Sequence, residues 1–169
     1  MKTIYEYNAQ ELQWIHPNKF KGEYELRGGD EVFARFHLKG AFGSQIVAET
    51  ANCNWIIKRK GIGQTITILD LDSQSELATI KRGMGGQSTL LTLDGHEYKW
   101  RCTSFWRDVW TWLNNEDIPL LHLIRGSRVQ LEPAAHDLPD LALLTTIGWY
   151  LHKRQEEEAI VAAIVPIIG

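Results

Sequence analysis

The chain has 169 residues, which is enough for one domain with a sizeable core. Its apolar fraction of 44% is ordinary, but seven tryptophans are unusually many. The formal net charge of −3 argues against a general nucleic-acid-binding protein, which would be basic, although it permits a local basic patch.

The N-terminal residues have one lysine and no apolar stretch of the kind found in a signal peptide. We therefore expect a cytoplasmic protein, or one that sits peripherally on the cytoplasmic face of a membrane. Two short strands are predicted in this region, at residues 3–7 and 11–15. Pro17 and Asn18 supply turn chemistry after the second strand.

A rhythm of short strands and turns continues through the middle of the chain. Residues 31–38 alternate apolar and polar side chains, as a half-buried strand does. Gly28, Gly29 and Asp30 before them form a hairpin turn signal. Strands are predicted at residues 23–27, 31–38, 45–50, 54–60, 64–71 and 77–82.

The clearest local signal lies at residues 90–100, where Asp94 and Gly95 interrupt alternating apolar residues. Such a pair predicts a two-residue type I′ hairpin. In that register Leu91 faces Tyr98 and Thr89 faces Trp100. We expect the aromatic side of this hairpin to face the core.

The tryptophan-rich residues 105–112 fit both helical spacing and strand alternation. We predict a strand at 109–113, because residues 114–117 resemble a hairpin loop leading into a strand at 118–124. A last strand is predicted at 128–132. The aromatic residues are interpreted as barrel core, and an aromatic belt at a membrane interface is the alternative.

One helix follows, predicted at residues 138–152. Asp137 is a suitable N-cap, Pro139 fits the first turn, and Asp140 adds a carboxylate near the positive helix end. Residues 141–151 are apolar on nearly every side, so this helix must be enclosed by protein or lipid. It ends well short of the roughly 20 apolar residues needed to span a bilayer, which favours protein.

About a dozen short strands and one enclosed helix together predict the fold class. It is mainly β: a closed antiparallel barrel of about twelve strands around a central hydrophobic C-terminal helix. Strands of about six residues and a helix of about 14 residues both span roughly 20 Å. We assign residues 1–155 to one barrel domain, and 156–169 to a charged linker and an apolar tail.

The order of these segments resembles the tubby-like superfamily, which comprises tubby C-terminal domains, phospholipid scramblases and LURP-one-related proteins. The resemblance is closest to small bacterial members and covers roughly residues 20–152. The matching segments are residues 22–26, 55–59, 66–70, 77–78, 91–98 and 141–151. It implies a twelve-stranded barrel around a hydrophobic helix, and phosphoinositide binding through basic residues of the barrel. The scramblase calcium segment corresponds to residues 131–140, which carry too few carboxylates here.

Four basic residues are the candidate lipid- or phosphate-binding site: Lys58, Lys60, Lys81 and Arg82. Two exposed lysines on a barrel attract an anionic membrane by about 1 kcal/mol per charge. The competing interpretation is a solvated strand face that discourages edge pairing.

No catalytic, metal or cofactor motif is found. Residues 70–76 have acid spacing like a calcium loop, but the required later positions hold Gln74, Ser75 and Lys81, so a polar turn is predicted. Cys53 and Cys102 form no CxxC pair, and are expected to be reduced, buried thiols.

The apolar residues 159–169 follow a charged stretch. They fold back on the barrel, cover a partner or second copy, or dip into a membrane, and each arrangement makes them an interface. The favoured function is a non-enzymatic binding module that engages anionic lipid head groups or the membrane surface. The alternative is a structural or regulatory protein-interaction domain that uses this tail as an oligomer or partner interface.

Overall fold

Twelve strands form one closed antiparallel barrel in the computed structural model, which describes residues 1–6, 11–18, 22–39, 45–59 and 65–164. Each strand pairs with its neighbours in sequence, and β1 pairs with β12 to close the sheet. The strands are β1 Leu12–Asn18, β2 Glu23–Gly28, β3 Glu31–Lys39, β4 Gln45–Thr50, β5 Asn54–Arg59, β6 Thr65–Asp70, β7 Glu76–Arg82, β8 Ser88–Thr92, β9 Glu97–Ser104, β10 Val109–Leu113, β11 Pro119–Ile124 and β12 Arg128–Leu131. The predicted fold class is confirmed.

The helix α1 spans Leu141–Ile164 and begins inside the barrel. It starts three residues later than predicted and continues past residue 152. Asp140, and not Asp137, is the N-cap, because its carbonyl accepts the first helical hydrogen bond from the Leu144 amide. Residues 165–169 lie outside the described residues.

The buried part of α1 is held by aromatic side chains from several strands of the barrel. Trp149 stacks on Trp14 with ring centroids 5.0 Å apart and meets Phe36 edge-on at 4.9 Å. On another side, the indole Nε1 of Trp112 donates to the Leu144 carbonyl at 2.8 Å. These contacts fill the barrel interior with side chains, so the helix is part of the core.

Gly148 permits a close approach between α1 and the barrel wall. A Cβ at this position would lie 2.8 Å from Nε1 of Trp112 and 3.0 Å from the Trp100 ring. Both tryptophans are fully buried. No larger side chain fits here unless one of the indoles moves.

The hairpin between β8 and β9 corrects the predicted register by one residue. The loop has three residues, because Thr92 and His96 are joined by a hydrogen bond, and Gly95 has a φ of +88°. Leu90 therefore faces Tyr98. A one-residue slip reverses the faces of a strand. Leu91 and Leu93 are accordingly 45% and 70% exposed, whereas Tyr98 and Trp100 are buried as expected.

Two further predictions are wrong: the strand at residues 3–7 and the burial of Cys53. Ile4–Glu6 form a turn of 3-10 helix where a strand was predicted. This segment lies across one end of the barrel, where Ile4 is buried and the Tyr5 hydroxyl donates to the Pro139 carbonyl. Cys53 is exposed and Cys102 is half-buried, both as free thiols, so the prediction of burial fails for Cys53.

The barrel has two distinct mouths. We call the end where α1 begins the lower mouth, and the end where α1 leaves the barrel the upper mouth. Among the described loops, residues 83–87, 105–108 and 125–127 surround the upper mouth, and Asp108 and Gly126 there touch His152 of α1. The N-terminal segment and the loop 93–95 lie at the lower mouth.

Candidate functional site

Large apolar side chains project from the upper mouth into solvent. Met84 lies in the β7–β8 loop and is 93% exposed. Phe105 and Trp106 lie in the β9–β10 turn and are 81% and 94% exposed. Their rings meet edge-on with centroids 5.8 Å apart. Side chains of this size are rarely so exposed unless they serve contact with another surface.

The second half of α1 adds apolar side chains beside these loops. Residues 156–164 are exposed as the helix projects beyond the barrel. Ile160, Val161 and Ile164 are each about half-exposed or more and lie within an arc of about 100° on the helix. We define the apolar rim as Met84, Phe105, Trp106, Ile160, Val161 and Ile164.

Ion pairs hold α1 to the upper mouth just below this rim. The Arg82 guanidinium donates to both carboxylate oxygens of Glu158, at 2.7 and 2.9 Å. This bidentate bond raises the pKa of Arg82 and lowers the pKa of Glu158. Arg154 also donates to Glu158 at 2.8 Å in an i,i+4 pair, and Lys153 donates to Glu156 at 2.6 Å.

A buried histidine completes this attachment. His152 is almost fully buried, and its Nε2 lies 3.1 Å from both carboxylate oxygens of Asp108. Its Nδ1 lies 3.6 Å from Glu156. The side chain thereby ties α1 to the β9–β10 turn that carries the exposed Phe105 and Trp106.

The remaining charge at the upper mouth is mainly positive. Glu156 and Glu158 are in ion pairs with Lys153 and Arg82, and Asp108 bonds to His152. Three arginines of this mouth, by contrast, form no ion pair with any described residue. The carboxylate of Glu157 also forms no ion pair with a described residue. These arginines are Arg59 at the end of β5, Arg107 in the β9–β10 turn and Arg125 in the β11–β12 turn.

A small pocket of about 270 Å³ lies against α1 on one side of the upper mouth. Trp149 and Tyr150 form part of its lining, and burial raises the pKa of the Tyr150 hydroxyl. Arg59, Lys153 and Arg154 also line it. The pocket therefore combines aromatic surface with three cationic groups and the Glu157 carboxylate.

Of the four basic residues predicted as a site, the three that the structure describes do not form one cluster. Lys58 lies on the outer wall of β5, where its Nζ donates to the Gln74 side chain at 3.1 Å. Lys81 is exposed on the outer wall of β7. Arg82, the next residue, points to the opposite face and binds Glu158. Lys60 lies outside the described residues.

The apolar rim was only partly visible in the sequence. Phe105 and Trp112 belong to the same aromatic run, but Trp112 is fully buried in β10 and Phe105 stands in the turn. Their position in the sequence could have indicated this difference in exposure, because the two most exposed aromatic residues precede the predicted strand at 109–113. Met84 between glycines carried no usable signal.

The described part of the chain contains no cluster of three potential metal ligands among its His, Cys, Asp and Glu residues. The residues after Asp70 form the predicted polar turn, in which Asp70 Oδ1 accepts hydrogen bonds from the Asp72 and Ser73 amides. These bonds lower the pKa of Asp70.

No helix within the described ranges is both long and apolar enough to cross a membrane. Comparison of the chain with family models, with curated protein sequences and with solved structures finds no match. The resemblance to the tubby-like superfamily stays a prediction.

Proposed function

We propose that the protein is a non-enzymatic module that binds the surface of an anionic membrane through its upper mouth. The observation that carries this proposal is the apolar rim, in which Phe105 and Trp106 stand almost fully exposed at the tip of a turn. The tubby-like resemblance supports the same class of function.

The chemistry of the rim favours lipid over a flat protein partner. Tryptophan and phenylalanine are suited to the boundary between head groups and acyl chains. Transfer of a large apolar side chain out of water contributes about 1.5–3 kcal/mol when burial is complete. Two such residues on one turn, with Met84 and the helix end at the same mouth, supply a useful fraction of a peripheral membrane affinity.

The arginines near the rim supply the preference for anionic lipid. Arg59, Arg107 and Arg125 each add about 1 kcal/mol of attraction to a negatively charged surface at low salt. Lys81 on the outer wall adds to this charge, and Lys58 and Lys60 remain candidate contacts. Arg82 is assigned a structural role, since Glu158 occupies its guanidinium.

Vesicle co-sedimentation tests the proposal. Wild-type protein is mixed with phosphatidylcholine vesicles and with vesicles that also contain phosphatidylserine. We expect binding to the anionic vesicles, and at least about tenfold weaker binding for Phe105→Ser/Trp106→Ser, because about 1.4 kcal/mol corresponds to tenfold. Arg107→Gln/Arg125→Gln should weaken binding to anionic vesicles and leave any binding to neutral ones unchanged.

A matched control comes from the lower mouth. Leu93→Ser removes an apolar side chain that is 70% exposed at the opposite end of the barrel, and should bind vesicles like wild type. Equal losses for Leu93→Ser and Phe105→Ser/Trp106→Ser would contradict the assignment of the rim. The thermal midpoints should be similar, because all these residues are exposed.

A protein interface at the same surface is the second candidate function. Ile160, Val161 and Ile164 share one face of an exposed helix, which is how a helix packs against a partner or a second copy. Sedimentation equilibrium over a wide concentration range distinguishes the two candidates. A dimer that is lost in Ile160→Ser/Ile164→Ser, without vesicle binding by wild type, would favour the protein interface.

A further inference from the structure

The lower mouth contains a second, larger pocket of about 490 Å³. It lies beside the first turn of α1, which begins at Leu141 and contributes Ala142 and Leu143 to the lining. The N-terminal segment closes one side. Its walls are mainly apolar and include Ile4, Leu26, Phe33, Trp55, Ala142 and Leu143.

The size and lining match those of a small-molecule site. Ligand pockets have volumes of about 300–1,000 Å³, are mostly apolar with a few placed polar groups, and occur in the mouths of β-barrels. A well-packed core leaves few voids of this size. The deep wall of the pocket consists of buried barrel and helix residues such as Leu26, Trp55 and Leu143, whereas exposed loop and N-terminal residues form its opening.

Asp140 provides an available acceptor at this pocket. The Tyr98 hydroxyl donates to Asp140 Oδ2 at 2.7 Å, and His96 Nδ1 lies 2.8 Å from the same oxygen. No hydrogen bond from the described residues reaches the other oxygen, Oδ1. A carboxylate oxygen accepts only, so a ligand group that meets it has to be a donor.

The other charges that line the pocket point to a cationic group. Glu76 and Asp94 lie at the opening of the pocket and are exposed. The lining cation among the described residues is Lys2, whose ammonium group pairs with Glu31. Glu76, Asp94 and Asp140 thus favour a positive ligand group and disfavour a carboxylate or phosphate.

We propose that the lower mouth binds a small amphipathic amine, with its apolar body between the barrel wall and α1 and its ammonium group toward Asp140, Glu76 and Asp94. This site is independent of the membrane surface proposed for the upper mouth, since the two lie at opposite ends of the barrel.

Isothermal titration calorimetry with three soluble probes tests the ligand class. The probes have the same octyl chain and differ in their head group. The probes are octylamine, octanol and octanoate. We expect octylamine to bind at least about fivefold more tightly than octanol, and octanoate to bind more weakly than either. Equal binding of octanoate and octylamine, or no binding of octylamine, would overturn the proposal.

Two kinds of variant locate the site. Ala142→Phe fills the pocket and should abolish octylamine binding, whereas Ala162→Phe places the same ring on the exposed part of α1 and should leave it unchanged. Glu76→Gln/Asp94→Asn alters only exposed side chains at the opening of the pocket, so folding is preserved. It should weaken octylamine binding severalfold while octanol binding is retained. Wild-type octylamine affinity in Ala142→Phe, or an equal loss in Ala162→Phe, would show that the amine binds elsewhere.

Discussion

The two apolar stretches of α1 have opposite surroundings. Nearly all of residues 141–152 are buried in the barrel, whereas residues 159–164 are exposed. Between them lies a charged stretch whose Arg154 and Glu158 form ion pairs at the upper mouth. The length of the barrel, rather than hydrophobicity alone, therefore decides where burial of α1 ends. Strands of about six residues cover roughly 20 Å, which corresponds to about 13 helical residues.

The strongest destabilisation is expected when a leucine is introduced into the buried half of α1, compared with a leucine in the exposed half. Gly148→Leu inserts a side chain where even a Cβ would lie 2.8 Å from Trp112. We expect a loss of at least about 3 kcal/mol in the free energy of unfolding, because the indoles must move and the Trp112–Leu144 hydrogen bond is disturbed. Ala162→Leu on the exposed half should change it by less than about 0.5 kcal/mol. Urea denaturation measures both, and similar losses would mean that the two halves do not differ as described.

A smaller effect is expected where the buried half begins. Asp140→Ala removes the acceptor of the buried Tyr98 hydroxyl, which costs about 1–3 kcal/mol of unfolding free energy. Asp137→Ala should be close to neutral, because Asp137 is exposed and precedes the actual N-cap. Combining Asp140→Ala with Tyr98→Phe should recover part of the loss in urea denaturation. If Asp137→Ala lost more unfolding free energy than Asp140→Ala, the N-cap would be Asp137, as predicted from the sequence.

The smallest effect concerns the junction between the two halves. Arg82 lowers the pKa of Glu158 below its usual 4.5, so this pair stabilises the fold above that pH and loses its contribution as the pH falls through the folded-state pKa. Glu158→Gln should cost about 0.5–1 kcal/mol near neutral pH, since the carboxylate is half-exposed.

That cost should shrink toward zero as the pH falls below 4.5. Urea denaturation of wild type and variant from pH 3 to 7 follows the change, with Glu157→Gln as a control that has no ion pair among the described residues. A difference that stays constant with pH would exclude the Arg82–Glu158 pair as its source.

Local sequence patterns predicted the barrel because each strand carries its own alternation and its own turn residues. Val109–Leu113 was predicted to the residue, although its aromatic run also fits a helix. The hairpin at Asp94 and Gly95 was placed correctly and assigned the wrong loop length, since both lengths use a glycine with positive φ. The one-residue difference in loop length decides which leucines of the hairpin are exposed.

The sites were less predictable, because they depend on which end of the barrel each residue reaches. Lys81 and Arg82 are neighbours in sequence, yet the pleat sends one to the outer wall and the other to α1. The pocket at the lower mouth is formed by segments from across the chain, including Ile4, Trp55 and Leu143. No local pattern brings such residues together.

Periodicity and turn chemistry act over a few residues, so the sequence was enough to predict the barrel, about twelve strands and one enclosed helix. Only the tertiary structure decided that Phe105 and Trp106 project from one mouth, that Arg82 holds α1, and that the other mouth contains a pocket. Those features follow from barrel closure, which sets the ends of the strands against the two halves of a single helix.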